Sequence, residues 1–368
     1  MKWEKKELGD LINLYDNIRI PLSAIERGKR QGEYPYYGAQ SIIDYVNEYL
    51  FDGNYILIAE DGENLRTRTQ PIAFAVSGQF WVNNHAHIIK GKENIASDLF
   101  IKYFLNNLDI NPYVTGAAQP KLSQRNLKAI SVDTPPLPTQ RKIASILSAY
   151  DDMIENNLKR IKLLEEKAFL RYSLLDKVEK FKLSDLYDTS SGGTPSRTNA
   201  EYFTGDINWF KSKELADSVL LGSEEKITEG AVDKSSAKLF PVGSVIMAMY
   251  GATIGMLGIL TQPSTTNQAC CAIIQKDLIK SNYYILNWLL ENREYILSFR
   301  MGAAQENISQ MIIKNLLISI PKDRDLIQFN KEAEPIYQLV KNIHIQNTKL
   351  REARDILLPK LMNGQIEV

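Results

Sequence analysis

The chain has 368 residues, 44% of them hydrophobic and 24% charged, with 44 Lys plus Arg balanced by 44 Asp plus Glu. That balance excludes a binder driven by global positive charge but leaves local patches open, and the length allows two or three cores. The adjacent Cys270 and Cys271 exclude a disulfide framework and read as small buried hydrophobes in a reducing compartment. No stretch approaches the ~20 apolar residues that span a bilayer, so a cytoplasmic protein with no membrane partner is expected.

In chain order, Tyr55–Ala59 is an apolar run between Asp52-Gly53 and Asp61-Gly62, as a buried strand should be. Ile72–Val76 and His87–Ile89 read as further strands, and Phe100–Leu105 as a short helix with an aromatic face. Arg66-Thr67-Arg68 is expected to be extended, with both guanidiniums on one side. His85 and His87, two apart on a strand, are expected to face the same side, and no further ligands for a metal are evident nearby. Asp133-Thr134-Pro135-Pro136-Leu137-Pro138 ends the first globular stretch, because proline supplies no donor and restricts its predecessor. Thr139 is placed to cap the helix that follows.

In that helix apolar residues recur three and four apart, at Ile143, Leu147, Tyr150, Ile154, Ile161, Leu164, Ala168 and Leu175. This is the seam of a coiled coil. The pattern returns 186 residues later. Gly116-Ala117-Ala118-Gln119 matches Gly302-Ala303-Ala304-Gln305, Ser123-Gln124 matches Ser309-Gln310, and Pro135 matches Pro321. The second helix carries Phe329, Ala333, Ile336, Val340, Ile343, Leu350, Leu357 and Leu361, with Pro335 and Pro359 expected to kink it or delay its start. A loop, strand and heptad helix repeated at half the chain's length is a tandem duplication. Each seam is broken by one asparagine, Asn157 and Asn347, and a buried Asn fixes register. An antiparallel pairing that joins these two also sets Tyr150 opposite Arg354 and Leu164 opposite Val340.

The second globular stretch, 181 to about 321, echoes the first. Leu183-Ser184-Asp185-Leu186 repeats Leu8-Gly9-Asp10-Leu11, Gly243–Met249 is a strand matching 53–57, and Tyr283–Phe299 is a helix matching 97–108. Asn267-Gln268-Ala269 is aligned with Asn84-His85-Ala86. The expected fold class is α+β: two similar mixed α/β domains, 1–138 and 181–323, joined by coiled-coil helices over 139–180 and 324–368 in an antiparallel pair with an internal pseudo-two-fold.

Signatures of catalysis are missing. There is neither a phosphate-binding P-loop nor a dinucleotide glycine fingerprint, Asn111-Pro112-Tyr113 lacks the second proline of an amino-methyltransferase motif, and Glu165-Glu166-Lys167 reads as a solvated helix face. Amide, aromatic and basic residues instead gather in loops, where they suit base edges and phosphates. The candidates for DNA contact are Tyr36, Tyr37, Arg66, Arg68, Asn84, His85, Gln119 and Lys121 in the first half. In the second they are Thr194, Ser196, Lys211, Lys213, Tyr250, Thr253, Asn267, Gln268 and Gln305. Among these Asn84, Gln268, Lys211 and the two Gly-Ala-Ala-Gln loops are expected to lie toward DNA.

Pro135 to Ala144 with Asp151-Asp152-Met153-Ile154-Glu155-Asn156-Asn157 is similar to the central conserved region of type I restriction–modification specificity subunits. Leu357–Gly364 resembles that family's ending. Gly192–Ser196 with Asp206–Trp209, and Tyr36-Tyr37-Gly38 with Phe51-Asp52-Gly53 and Asn83–Ala86, resemble openings of its recognition domains. Lys322-Asp323-Arg324-Asp325 departs from the usual Pro-Leu-Pro-x-Gln before the second helix. The resemblance implies a subunit without a catalytic site or cofactor, each domain reading half of a split double-stranded DNA target. It implies that the coiled coil sets the spacing and docks two methyltransferase subunits, which restriction/translocase subunits join. S-adenosylmethionine, ATP and Mg belong to those partners. A related methyltransferase–nuclease system, a self-contained DNA-modifying enzyme and an interaction protein that never touches DNA are the alternatives.

Overall fold

The computed structural model describes residues 3–302 and 306–368; Gln305, with Ala303 and Ala304, lies outside them. By compactness the chain divides into Met1–Ile154 with Leu350–Val368, and Glu155–Lys349. Each unit contains one sheet-rich domain and part of both long helices.

In the first unit the strands Ile12–Leu14, Ala86–Gly91, Tyr55–Ala59 and Ala73–Val76 lie side by side in that order, all antiparallel. A second sheet orders Ile42–Val46, Gln31–Tyr37, Gln79–Val82 and Phe51–Asp52, with Gln31–Tyr37 parallel to Gln79–Val82. Helix Asp98–Asn107 buries Phe100, Ile101, Tyr103 and Leu105 in a core shared with Ile56, Ile58 and Ile89 of the first sheet and Ile143, Ala144 and Leu147 of the central helix. Tyr36, a DNA-contact candidate, is fully buried, its hydroxyl accepting from the backbone of Leu22 at 2.9 Å. Alternation along a strand sends every second residue inward, and Tyr36 takes the inner place.

The second unit repeats this plan with different side chains. Its main sheet orders Tyr187–Ser191, Cys270–Gln275, Val245–Ala248, Leu257–Leu260 and Ser218–Leu220, and a smaller one orders Glu225–Ile227, Ile207–Phe210 and Thr265–Thr266. Cys270 and Cys271 are free and buried in the main sheet, and burial pushes both thiols up to about 12. The helix expected over 283–299 is two helices, Asn282–Glu291 and Arg293–Leu297. They break at Asn292, whose side-chain amide donates to the carbonyl of Trp288.

The duplication extends to individual hydrogen bonds. Leu8 N donates to Ile130 O, and Leu183 N to Leu316 O, both at 2.8 Å. Ser123 caps Gln124–Lys128 and Ser309 caps Gln310–Lys314, each hydroxyl accepting the third backbone N–H and contributing ~1 kcal/mol. Strand Glu4–Glu7 pairs with Ser131–Thr134 as Glu179–Lys182 pairs with Leu317–Ile320. Each domain is thus closed by a ladder between its own entry and exit strands.

The central helix runs Leu137–Ser173 and the C-terminal helix Asp323–Met362, 37 and 40 residues, or about 55 and 60 Å at 1.5 Å per residue. The central helix starts two residues before Thr139, so Thr139 lies inside the first turn instead of capping it. Pro138 fits there because first-turn N–H groups have no helical partner. The C-terminal helix passes uninterrupted through Pro335 and Pro359. Both prolines are exposed, so water can serve the carbonyls that lose a donor. Facing residue numbers add to 503–505 at Asn157–Gln346, Asn157–Asn347, Asp151–Arg354 and Arg171–Glu332, which makes the pair antiparallel. Asn157 donates to Asn347 Oδ1 at 2.9 Å, and Leu164 packs on Ile161, Val340 and Ile343. Arg354 is taken by Asp151, the neighbour of Tyr150. Of the face expected to be solvated, Glu166 and Lys167 are exposed, whereas Glu165 is half-buried and accepts from Ser218 at 2.6 Å.

Candidate nucleic-acid interface

At one end of the main sheet in each domain, three backbone segments are tied together in the same way. In the first domain Glu60 N donates to His85 O at 2.9 Å, Leu122 N donates to Glu60 O at 2.8 Å, and Asp61 bridges to Lys121. In the second, Met249 N donates to Ala269 O at 2.8 Å, Ile308 N to Met249 O at 2.9 Å, and Tyr250 bridges to Asn307. The segments are a strand end, a turn that opens the next strand, and a loop closed at its base by Thr115–Lys121 or Met301–Asn307. Gly116 stands in that loop at φ +85°, where an added Cβ would lie 2.2 Å from the carbonyl oxygen of Gln119. Only glycine fits such a place without strain.

The turns align one residue away from the expected pairing. Asn83 N donates to Tyr37 O at 3.0 Å and its side chain accepts from His85 N; Asn267 N donates to Phe210 O at 2.9 Å and its side chain accepts from Ala269 N. Asn267 therefore matches Asn83, and Gln268 matches Asn84. Strand pairing fixes the shift, since Ala59 faces Ala86 as Ala248 faces Cys270. Asn267 is consequently a turn-forming residue. Asn84 and Gln268 are exposed amides at the same place in the two domains.

Several other candidates surround these amides. His85 Nδ1 lies 2.8 Å from Asp61. Arg66 is exposed, and its guanidinium donates to the carbonyls of Gly116 and Ala117 at 2.6 and 3.0 Å, bracing the loop that carries the exposed Gln119. Lys121 Nζ lies 3.2 Å from Glu60. In the second domain Tyr250 is exposed, Thr253 closes the turn after it, and Thr194 donates to Gln268 Oε1. Ser196 is exposed and shares a hydrogen bond with Thr198 at 2.8 Å.

The remaining candidates have other work. Residues 66–68 are not extended: Asn64–Thr67 is one helical turn, and Arg68 follows it at φ +52°. Its guanidinium turns away from Arg66 to donate to Leu105 O and Asn106 O, where it caps the end of Asp98–Asn107. Tyr37 is half-buried against Phe74 and Phe80. The two histidines do not share a face: His85 is in the exposed turn, whereas His87 is fully buried. Lys211 bonds to Glu225 and also approaches Glu224, and Lys213 lies 2.7 Å from Glu224. Bonds from Arg197 and Lys211 hold the Glu225 carboxyl at about 2. These lysines already have anionic partners.

Sequence reasoning missed Arg19, Asp16 and Glu60, which lie behind the first turn, and the acidic pair Glu224-Glu225. Glu60-Asp61 at the end of an apolar strand was the available signal for the former. The pairing of Glu224-Glu225 with lysines eleven to fourteen residues earlier depends on strands that fold back, and leaves no local pattern.

A chain of two like domains, each with an exposed amide turn at a sheet end, plus an antiparallel helix pair, has close fold relatives. A type I restriction-modification S subunit from M. genitalium superposes with a TM-score of 0.62, covering 98% of this chain and 96% of that one at 14% identity. The profile of the type I restriction modification DNA specificity domain matches twice, over residues 1–166 and 176–353, so the chain belongs to that family. The MjaIX specificity subunit of Methanocaldococcus jannaschii is 24% identical over 380 residues, 92% of this chain and 88% of the relative. The HindI specificity subunit of Haemophilus influenzae is 27% identical over 187 residues, covering half of this chain but 40% of the relative. Among the described residues no helix is long and apolar enough to cross a membrane.

Proposed function

We propose that the chain is the DNA-reading subunit of a type I restriction–modification complex, without chemistry of its own. Its two sheet-end turns read two halves of a split target. The helix pair sets their spacing and docks two methyltransferase subunits, which restriction/translocase subunits join; S-adenosylmethionine, ATP and Mg act on those partners. The observation that carries this reading is the recurrence of an exposed amide, Asn84 and Gln268, at one backbone position of a duplicated frame. An amide is the side chain that pairs bidentately with adenine in the major groove. A balanced net charge fits such a role, because partner subunits can supply the cations that neutralise phosphates.

The test is selection of bound duplexes from a randomised double-stranded DNA pool by the chain assembled with its methyltransferase subunits. A two-part motif is expected. Asn84→Ala should relax one position in one part, and Gln268→Ala one position in the other, each by ~1–3 kcal/mol. Uniform weakening over all sequences would reassign the residue to phosphate contact. Methyl transfer by the chain alone, given DNA and S-adenosylmethionine, would overturn the non-catalytic reading.

A further inference from the structure

We infer that Arg19 and Thr194 are positioning residues that aim the amide of each turn, through a charged device in the first domain and a neutral one in the second. This rests on the reading of the turns as DNA contacts. Arg19 Nη1 donates to Ala86 O at 2.7 Å and Glu60 Oε2 at 2.7 Å, and reaches Asn84 O at 3.4 Å. Its Nη2 lies 3.3 Å from Asp16 Oδ2, and its Nε donates to Asp16 O. One guanidinium therefore clamps the turn backbone on both sides of His85 to two buried carboxylates.

The carboxylates are themselves fixed. Asp16 accepts from Ile88 N at 2.9 Å, from Gln124 at 2.8 Å and from His87 Nδ1 at 2.6 Å. His87 Nε2 faces the carbonyl of Leu122 at 2.7 Å, which only accepts, so that nitrogen carries hydrogen. The other nitrogen is held by the Asp16 carboxylate. Asp16, Glu60 and His87 stand close enough together to suggest a cation site. Arg19 already lies against both carboxylates and supplies the positive charge there, so the cluster acts as a clamp.

In the second domain the matching positions hold Ser191, Met249 and Cys271, and only Gln310 remains from the set, accepting from Ser191 at 3.0 Å. Thr194 follows Ser191 by three residues as Arg19 follows Asp16, and it grips the turn by donating to the side chain of Gln268. The same post in the chain thus steadies the same turn by two chemistries.

The duplex selection with the assembled complex tests this, using Arg19→Lys, which keeps the charge but loses the fork, and Thr194→Val. Arg19→Lys should flatten base preference about tenfold at the position that Asn84→Ala relaxes, leaving the other half intact. Thr194→Val should do the same at the Gln268 position. An unchanged motif with lower overall yield marks a merely structural role and overturns the inference. If Arg19→Lys is insoluble, Thr194→Val decides, since its hydroxyl lies outside the cores; an unchanged second half overturns the inference. No motif with the unmodified chain would instead overturn the proposed function.

Discussion

Asp151 accepts from Tyr103 Oη at 2.5 Å, Lys102 Nζ at 3.0 Å and Arg354 Nη1 at 2.7 Å, joining the first domain's helix to both long helices. Burial alone would raise its carboxyl; the bond from Tyr103 and the neighbouring cations outweigh that and hold it below the usual carboxylate range. A carboxyl lowered by folding contributes stability above its unfolded value, near ~3.9, and loses it as pH falls through the folded value. Asp151→Asn should cost about 1–3 kcal/mol at neutral pH. That difference should shrink below pH ~4 in melts followed across the acid range. The second domain makes the corresponding contact with neutral groups, Asn287 Nδ2 donating to Tyr337 Oη at 2.9 Å. Tyr337→Phe should therefore destabilise without that pH signature.

The long helices were the most legible elements, because a seam spaced three and four apart and its recurrence 186 residues later are both written locally. The elements around them were legible as types and less so as edges. Proline rules placed a kink or a late start where the exposed Pro335 lets the helix run through from Asp323, and a capping rule chose Thr139 when the proline-rich start already suited a first turn. The candidate site was half legible. Amides in loops are visible in the sequence, but the clamp behind Asn84 joins residues 16, 19, 60 and 87, which only the folded sheet brings together. A slip of one residue in aligning Asn267 was enough to exchange a turn-former for a reader. Within the helix pair, Asn157 and Asn347 are 5% and 0% exposed, and the amide nitrogen of Asn347 finds no acceptor among the described residues. Such a pair specifies register at a cost in stability. Asn157→Ala alone should destabilise by ~1–3 kcal/mol by stranding its partner. Asn157→Leu with Asn347→Leu should melt higher than the unmodified chain, and cysteines placed at Ile161 and Ile343 should then cross-link less completely.

At the scale of the molecule, the second unit is one continuous stretch, Glu155–Lys349, while the first combines Met1–Ile154 with Leu350–Val368. The late segment is integral to the first unit: Leu361 and Met362 are buried in its core with Leu8, Leu127 and Ile143, and an added Cβ on Gly364 would touch the Trp3 ring at 3.3 Å. Removing residues 350–368 should therefore raise amide exchange in the sheet and helix of the first unit and leave strands such as Val245–Ala248 and Cys270–Gln275 protected. Equal loss of protection in both units would show that the late segment has no preference for the first.

On the ribosome this topology delays completion of the half that emerges first. That half waits, with a strip of its core uncovered, until Leu350–Val368 has been translated. The length of that delay is set by the time needed to synthesise everything between Ile154 and Leu350.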